Sequence, residues 1–185
     1  LDRFFNLIGV IDADGWLVMA DRPLPRSNVA DREHFKVHQA ADSVGLFISR
    51  PVLGRSSGKW SVQFTRRINR PDGSFGGIVV SSLDPNYFGD FYKSVDLGEG
   101  GVAALVGTDG IVRARRSGED STIGQDIAGT DLFKAMLANP SGSMLAPSSI
   151  DGVRRVVAWR RLEHYPLFAV AGIAEGVVLE DFAEH

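Results

Sequence analysis

Five consecutive residues, Asp31-Arg32-Glu33-His34-Phe35, carry the densest chemistry in the chain. Asp31 is suited to cap a helix running to about Ala41, because its carboxylate can accept from the unpaired amides of a first turn. Arg32 is then a cation in that turn, where the helix dipole favours negative charge by ~0.3–1 kcal/mol. Two readings account for it. Asp31 and Glu33 neutralise the guanidinium on the surface, or the guanidinium, the first-turn amides and His34 together receive an anion such as a small carboxylate. The residues by themselves leave both open.

Other spacings are weaker. His34 and His38 stand four apart on one helix face, a chelating distance, but Phe35 and Lys36 follow His34 and the glutamate of an HExxH site is missing. A solvated pair is the simpler expectation, and no metal or cofactor is expected. Gly54-Arg55-Ser56-Ser57-Gly58 fits G-x-S-x-G, yet a nucleophile elbow needs a strand before the serine and a helix after it. Lys59–Thr65 alternates like a strand, which puts Ser56 in a hairpin, so no enzyme is expected. Asp12-Ala-Asp14-Gly15 opens like a calcium loop, but Leu17 and Pro23 occupy the positions that need glycine and glutamate. Trp60, Val62, Phe64 and Arg66 alternate with Ser61, Gln63, Thr65 and Arg67. A plain half-exposed strand explains this, while a polar face turned towards the Asp31 helix would supply hydrogen-bonding groups to a pocket.

The elements that must position these residues occur twice. An apolar strand, an Asp-Gly turn (Asp14-Gly15, Asp109-Gly110), a second strand, a polar loop and a short helix are followed each time by three strand-like runs. In the first half the strands are predicted at 7–13, 16–21, 45–52, 59–69 and 75–83, with the helix at 31–41. In the second they are predicted at 102–108, 111–116, 142–147, 153–162 and 167–174, with a helix at 130–138. Leu1–Asn6 reads as the last turns of a helix that begins outside the sequence. Asp84-Pro85 opens a linking helix to about Val95, with proline at its first position, and a terminal helix starts at Glu175. The expected class is α+β, two antiparallel sheets flanked by helices, divided as residues 1–97 and 98–185.

Bulk composition narrows the function classes. The 185 residues are 44% hydrophobic and 23% charged, ordinary for a folded chain. A net charge of −3 gives nucleic acid no electrostatic footprint. No run approaches the ~18 apolar residues of a membrane span. The lack of cysteine is compatible with an oxidising compartment.

Val29-Ala30-Asp31-Arg32-Glu33-His34-Phe35, Phe47-Ile48-Ser49-Arg50-Pro51-Val52 and Gly58-Lys59-Trp60 resemble the double Cache sensor domain, also called the tandem PAS-like or PDC fold. Thr65-Arg66-Arg67 before Pro71-Asp72-Gly73, and Phe75-Gly76-Gly77-Ile78-Val79-Val80, carry the same resemblance. It implies the periplasmic part of an inner-membrane receptor, with a diguanylate cyclase or histidine kinase output. A membrane-distal lobe would bind a small molecule, a proximal lobe would follow, and the membrane would be met only through segments outside this chain. Arg32 takes the place of the arginine that meets a ligand carboxylate in amino-acid-binding members, and His34 the place of an aromatic. Ser82 falls where those members carry an aspartate for the ligand amine, so an organic acid is favoured over an amino acid. The candidate ligand-binding residues are Arg32, His34, Phe35, Ser49, Trp60, Gln63, Arg66 and Ser82. The second helix has no comparable basic and aromatic set, so no principal site is expected there. A homodimer is a further expected partner, and the competing reading is a structural or dimerisation module that binds no metabolite.

Overall fold

An Asp-Gly turn joins the first two strands in each half of the chain. Gly15 sits at φ +86° and Gly110 at φ +80°, a left-handed conformation that costs a residue with a Cβ about 1–2 kcal/mol. A Cβ on either would also stand 2.7 Å from an alanine Cβ, that of Ala30 or of Ala128. The turns join β1 (Phe5–Asp12) to β2 (Leu17–Ala20), and β6 (Val102–Gly107) to β7 (Val112–Ser117). The computed structural model describes residues 4–92 and 95–183, in two compact units, Leu1–Tyr87 and Phe88–His185.

In the first unit, β2 leads through a polar loop to α1 (Glu33–Ala40) and a single 3₁₀ turn. Then come β3 (Phe47–Leu53), β4 (Trp60–Asn69) and β5 (Phe75–Leu83). The sheet order is β2-β1-β5-β4-β3, antiparallel throughout. Helix α2 (Pro85–Tyr92) crosses the division between the units. Beyond β6 and β7 the second unit holds β8 (Asp120–Thr122), α3 (Asp131–Ala138), β9 (Ser141–Pro147), β10 (Arg154–Arg161), β11 (Leu167–Ala174) and α4 (Glu175–Ala183). Its order is β8-β7-β6-β11-β10-β9. Without the short edge strand β8, the two sheets have one topology. The repeat reaches single hydrogen bonds: Val29 N donates to the Gly15 carbonyl at 2.8 Å, and Ile127 N to that of Gly110 at 2.9 Å.

The first unit's core gathers Phe35 of α1 with Leu7, Ile11, Leu17, Ile78 and Val80. Alternation along β4 is decided by α1, which packs on β3, β4 and β5. Ser61, Gln63 and Thr65 are all buried, and Thr65 Oγ1 donates to the His34 carbonyl at 3.2 Å. The polar face therefore looks inward, and each of its residues is hydrogen-bonded, as burial demands. Asn6 Nδ2 donates to Ser61 Oγ at 2.9 Å. That corrects one expectation: Phe5 and Asn6 begin a strand rather than end a helix, because Phe5 pairs with Leu83 and Asn6 satisfies buried Ser61. Leu1–Arg3, the rest of that expected helix, lie outside the described residues. In the second unit Phe133 and Met136 of α3 pack on Val106, Trp159 and Phe168 of the sheet.

Candidate functional site

Helix α1 starts in an unusual way. Its N-cap is Arg32, at φ −80° and ψ 145°, and no side chain accepts from the first-turn amides. Asp31, the residue expected to cap, spends its carboxylate elsewhere. Arg55, at the tip of the β3–β4 hairpin, donates Nη1 to Asp31 Oδ1 at 2.5 Å and Nη2 to Oδ2 at 2.7 Å. These bonds hold the Asp31 carboxyl at about 2, well below its ordinary range. The repeat supplies an internal comparison. In α3 the N-cap is Thr130, at φ −81° and ψ 153°, and its hydroxyl accepts from Phe133 N at 3.1 Å. At equivalent positions, one lobe places a capping threonine and the other an arginine that cannot cap.

Arg32 borders a recess between α1, the first sheet and two loops. It is lined by Leu7, Ile11, Val80 and Ser82 of the sheet's centre, His34, Gln63, and the 27–32 and 52–57 segments. Its empty space is about 460 Å³ with the mouth included. Arg55 and Ser56 close it from the hairpin side. Arg55 Nη1 also donates to the Asn28 carbonyl at 2.7 Å, and the hydroxyls of Ser27 and Ser56 lie 2.5 Å apart. Arg32 itself makes one longer bond, Nη2 to the Leu53 carbonyl at 3.3 Å. The two loops thus meet as a clasp over the recess.

The electrostatics are one-sided. The lining holds Arg32 and Arg55; Asp31 meets the charge of Arg55, which leaves Arg32, bonded to the Leu53 carbonyl, as the cation bordering the recess. Burial, and then the charge of Arg32, push the His34 imidazole down to about 4, so it is neutral at pH 7. Ser82 Oγ donates to Gln63 Oε1 at 2.5 Å across the β5–β4 ladder, where the two residues are paired. The arrangement can bind an anion by the Arg32 guanidinium and orient its polar body on an imidazole, an amide and a hydroxyl. Among the described residues no group of three or more metal-ligating side chains could hold an ion.

Of the eight candidates, Arg32, His34, Gln63 and Ser82 come together at the recess; four do not. Phe35 is fully buried and meets Phe75 edge-to-face at 5.3 Å, because it is turned from His34 into the core. Ser49 serves the sheet: at the β3 irregularity before Pro51, its Oγ accepts from Gln63 N at 2.9 Å and donates to the Arg50 carbonyl. Trp60 is 54% exposed and Arg66 is exposed. Both share the face of β4 opposite Gln63, since successive strand residues point to opposite sides. His38 is not solvated: its Nε2 meets Thr65 Oγ1 at 2.9 Å beneath the helix. Ser56 lies in the hairpin, against Ser27. Sequence reasoning does not find Arg55, Ser27 or Ser56 as site residues. The available signal is a lone cation at a hairpin tip together with an acid just ahead of a helix.

Three comparisons bear on this geometry. A family model for histidine kinase sensor domains of the dCache_1-like type matches residues 85–172. The extracellular domain of a candidate histidine kinase, rpHK1S-Z16, is 36% identical with a TM-score of 0.85, over 93% of this chain and 71% of that one. The ligand-binding domain of the amino-acid chemoreceptor PctB of Pseudomonas aeruginosa PAO1, solved with L-arginine, shares 13% identity at a TM-score of 0.70, over 97% of this chain and 70% of that one. That of the Pseudomonas fluorescens chemoreceptor CtaA, solved with L-leucine, shares 14% at 0.65, over 95% and 73%. At such identities the last two speak for the fold. A search of curated proteins found no significant match.

Proposed function

This chain belongs to the double Cache family of histidine kinase sensor domains, and on that premise we propose that its first lobe binds a small carboxylate-bearing metabolite beneath the Asp31–Arg55 clasp. The observation that carries this reading is the lining itself: the Arg32 guanidinium beside a neutral imidazole, while the charge of Arg55 is met by Asp31. An α-amino acid brings an ammonium group that needs an anionic or free acceptor. The recess offers no free carboxylate to meet that charge, Asp31 being held by Arg55, so an organic acid suits it better than an amino acid. The neighbouring chemoreceptor domains hold leucine and arginine, which supports a ligand of similar size and a carboxylate as the shared group.

The Asp31–Arg55 clasp stands over the mouth of the recess. The 21–32 loop and the hairpin tip must part and close again, and a ligand that favours one arrangement shifts the population between the two. In this reading the domain is no enzyme. It is the periplasmic part of an inner-membrane receptor, anchored through segments outside this chain, and a homodimer suits that role.

The test is a thermal-shift screen with lactate, pyruvate, malate and succinate against a panel of amino acids, on protein refolded to strip carried-over ligand. A ligand at 100 times its Kd adds about 2.7 kcal/mol to the folded state, so an organic acid raises Tm by several degrees in the parent and fails to do so in Arg32→Ala. A flat response across the panel, or an equal rise in the variant, refutes the reading.

A further inference from the structure

The second lobe also buries cations. Arg115 and Arg155 are 5% and 2% exposed. Arg115 lies opposite Ala104, and Arg155 is two residues from Val157, so both stand on the sheet face that packs against α3. Gly172 makes space for one of them: a Cβ there would come within 3.1 Å of Arg155 Cδ. Arg155 donates Nη1 and Nη2 to the two oxygens of Asp151 at 2.9 and 2.8 Å, and Arg115 Nη2 donates to the same carboxylate. Arg155 further reaches the Gly100 carbonyl at 2.6 Å and Ser117 Oγ at 3.2 Å. Two guanidiniums share one carboxylate, which leaves one positive charge without a counter-ion among the described residues. Buried charges are ordinarily paired.

Beside this pair opens a recess of about 600 Å³ with its mouth included, larger than that of the first lobe. Its walls are aliphatic, formed by Val102, Ala104, Val106, Ile127, Val157 and Val170. We propose that the second lobe holds a separate site for a short aliphatic monocarboxylate. The ligand's carboxylate balances the second guanidinium of the Arg115–Arg155 pair, and its chain lies on the valines. The basic set that α3 lacks is supplied by strands β7 and β10. The site does not depend on the first-lobe reading, because the two recesses share no residue.

The probe is butyrate, titrated calorimetrically into the whole chain, with n-butanol as the uncharged control. The expected result is one butyrate bound in the parent and equally in Arg32→Ala, with no binding of butanol. Arg115→Gln weakens binding roughly tenfold or more, the scale of a lost charge-assisted bond. Ala146→Leu keeps both arginines and fills the recess, and it weakens binding to a similar extent. It decides the matter should Arg115→Gln not fold. The proposal is overturned when the parent binds no butyrate, when Arg32→Ala abolishes binding, or when the folded Ala146→Leu protein binds like the parent.

Discussion

Replacing Arg32 by threonine should make the unliganded protein more stable while destroying its affinity for an anion. The two N-cap positions have nearly the same backbone, φ −80° and ψ 145° at Arg32 against φ −81° and ψ 153° at Thr130. A threonine therefore fits at 32 without strain, and its hydroxyl can take over Phe35 N, which now makes a long bond to the Arg32 carbonyl at 3.2 Å, as Thr130 accepts from Phe133 N. Such a cap contributes about 1 kcal/mol. Removing a cation from the positive end of the helix adds ~0.3–1 kcal/mol. Against this stands one partly exposed bond to the Leu53 carbonyl at 3.3 Å, about 0.5 kcal/mol. The balance is a gain of about 1 kcal/mol, or roughly 4–8 °C in Tm for a lobe of this size. Calorimetric scans of stripped protein read the gain, and titration with the organic acid found by screening reads the loss of affinity. An apo Tm at or below that of the parent refutes the reasoning on helix capping, and an unchanged affinity removes the guanidinium from the ligand.

His34, held near 4 in the fold, titrates near 6.5 once unfolded, so the unfolded chain takes up the extra proton between those values. Stability is then complete above pH ~6.5 and falls by on the order of 3 kcal/mol towards pH 4. His34→Gln should flatten this slope in urea unfolding at pH 7 and pH 5, leaving the contribution of His38, which burial also holds below its ordinary value; parallel curves for variant and parent contradict it. Gly15→Ala and Gly73→Ala both place alanine at positive φ, but only the first meets a neighbour, at 2.7 Å, while the second finds open space. Gly73→Ala should cost about 1 kcal/mol and Gly15→Ala about 2–4 kcal/mol, and equal costs in chemical denaturation rule out the close approach as a cause.

Much of the fold is legible in the chain because its signals are local. Alternation and Asp-Gly turns locate ten of the strands to within a residue or two, and the repeat orders them; only β8, three residues long, escapes. The site is less legible because it is made of distant pairs. Asp31 has the side chain of a helix cap, and nothing nearby in sequence reveals that Arg55, 24 residues on, claims its carboxylate. Strand parity separates two of the candidates, since no strand can send both Trp60 and Gln63 into one recess. Phe35 and His34 are neighbours in the chain, yet one meets Phe75 in the core and the other borders the recess.

In each lobe the first strand lies beside the last, β1 against β5 and β6 against β11. The backbone therefore comes in and goes out at one doorway. Asp84 N bonds to the Phe4 carbonyl at 3.0 Å, and the rings of Phe4 and Tyr87 touch at a centroid distance of 3.9 Å. Leu7, Ile11, Val80 and Ser82 on that same strand pair also line the first recess. A guest lodged in the recess therefore rests on the very two strands by which the polypeptide enters and leaves the lobe.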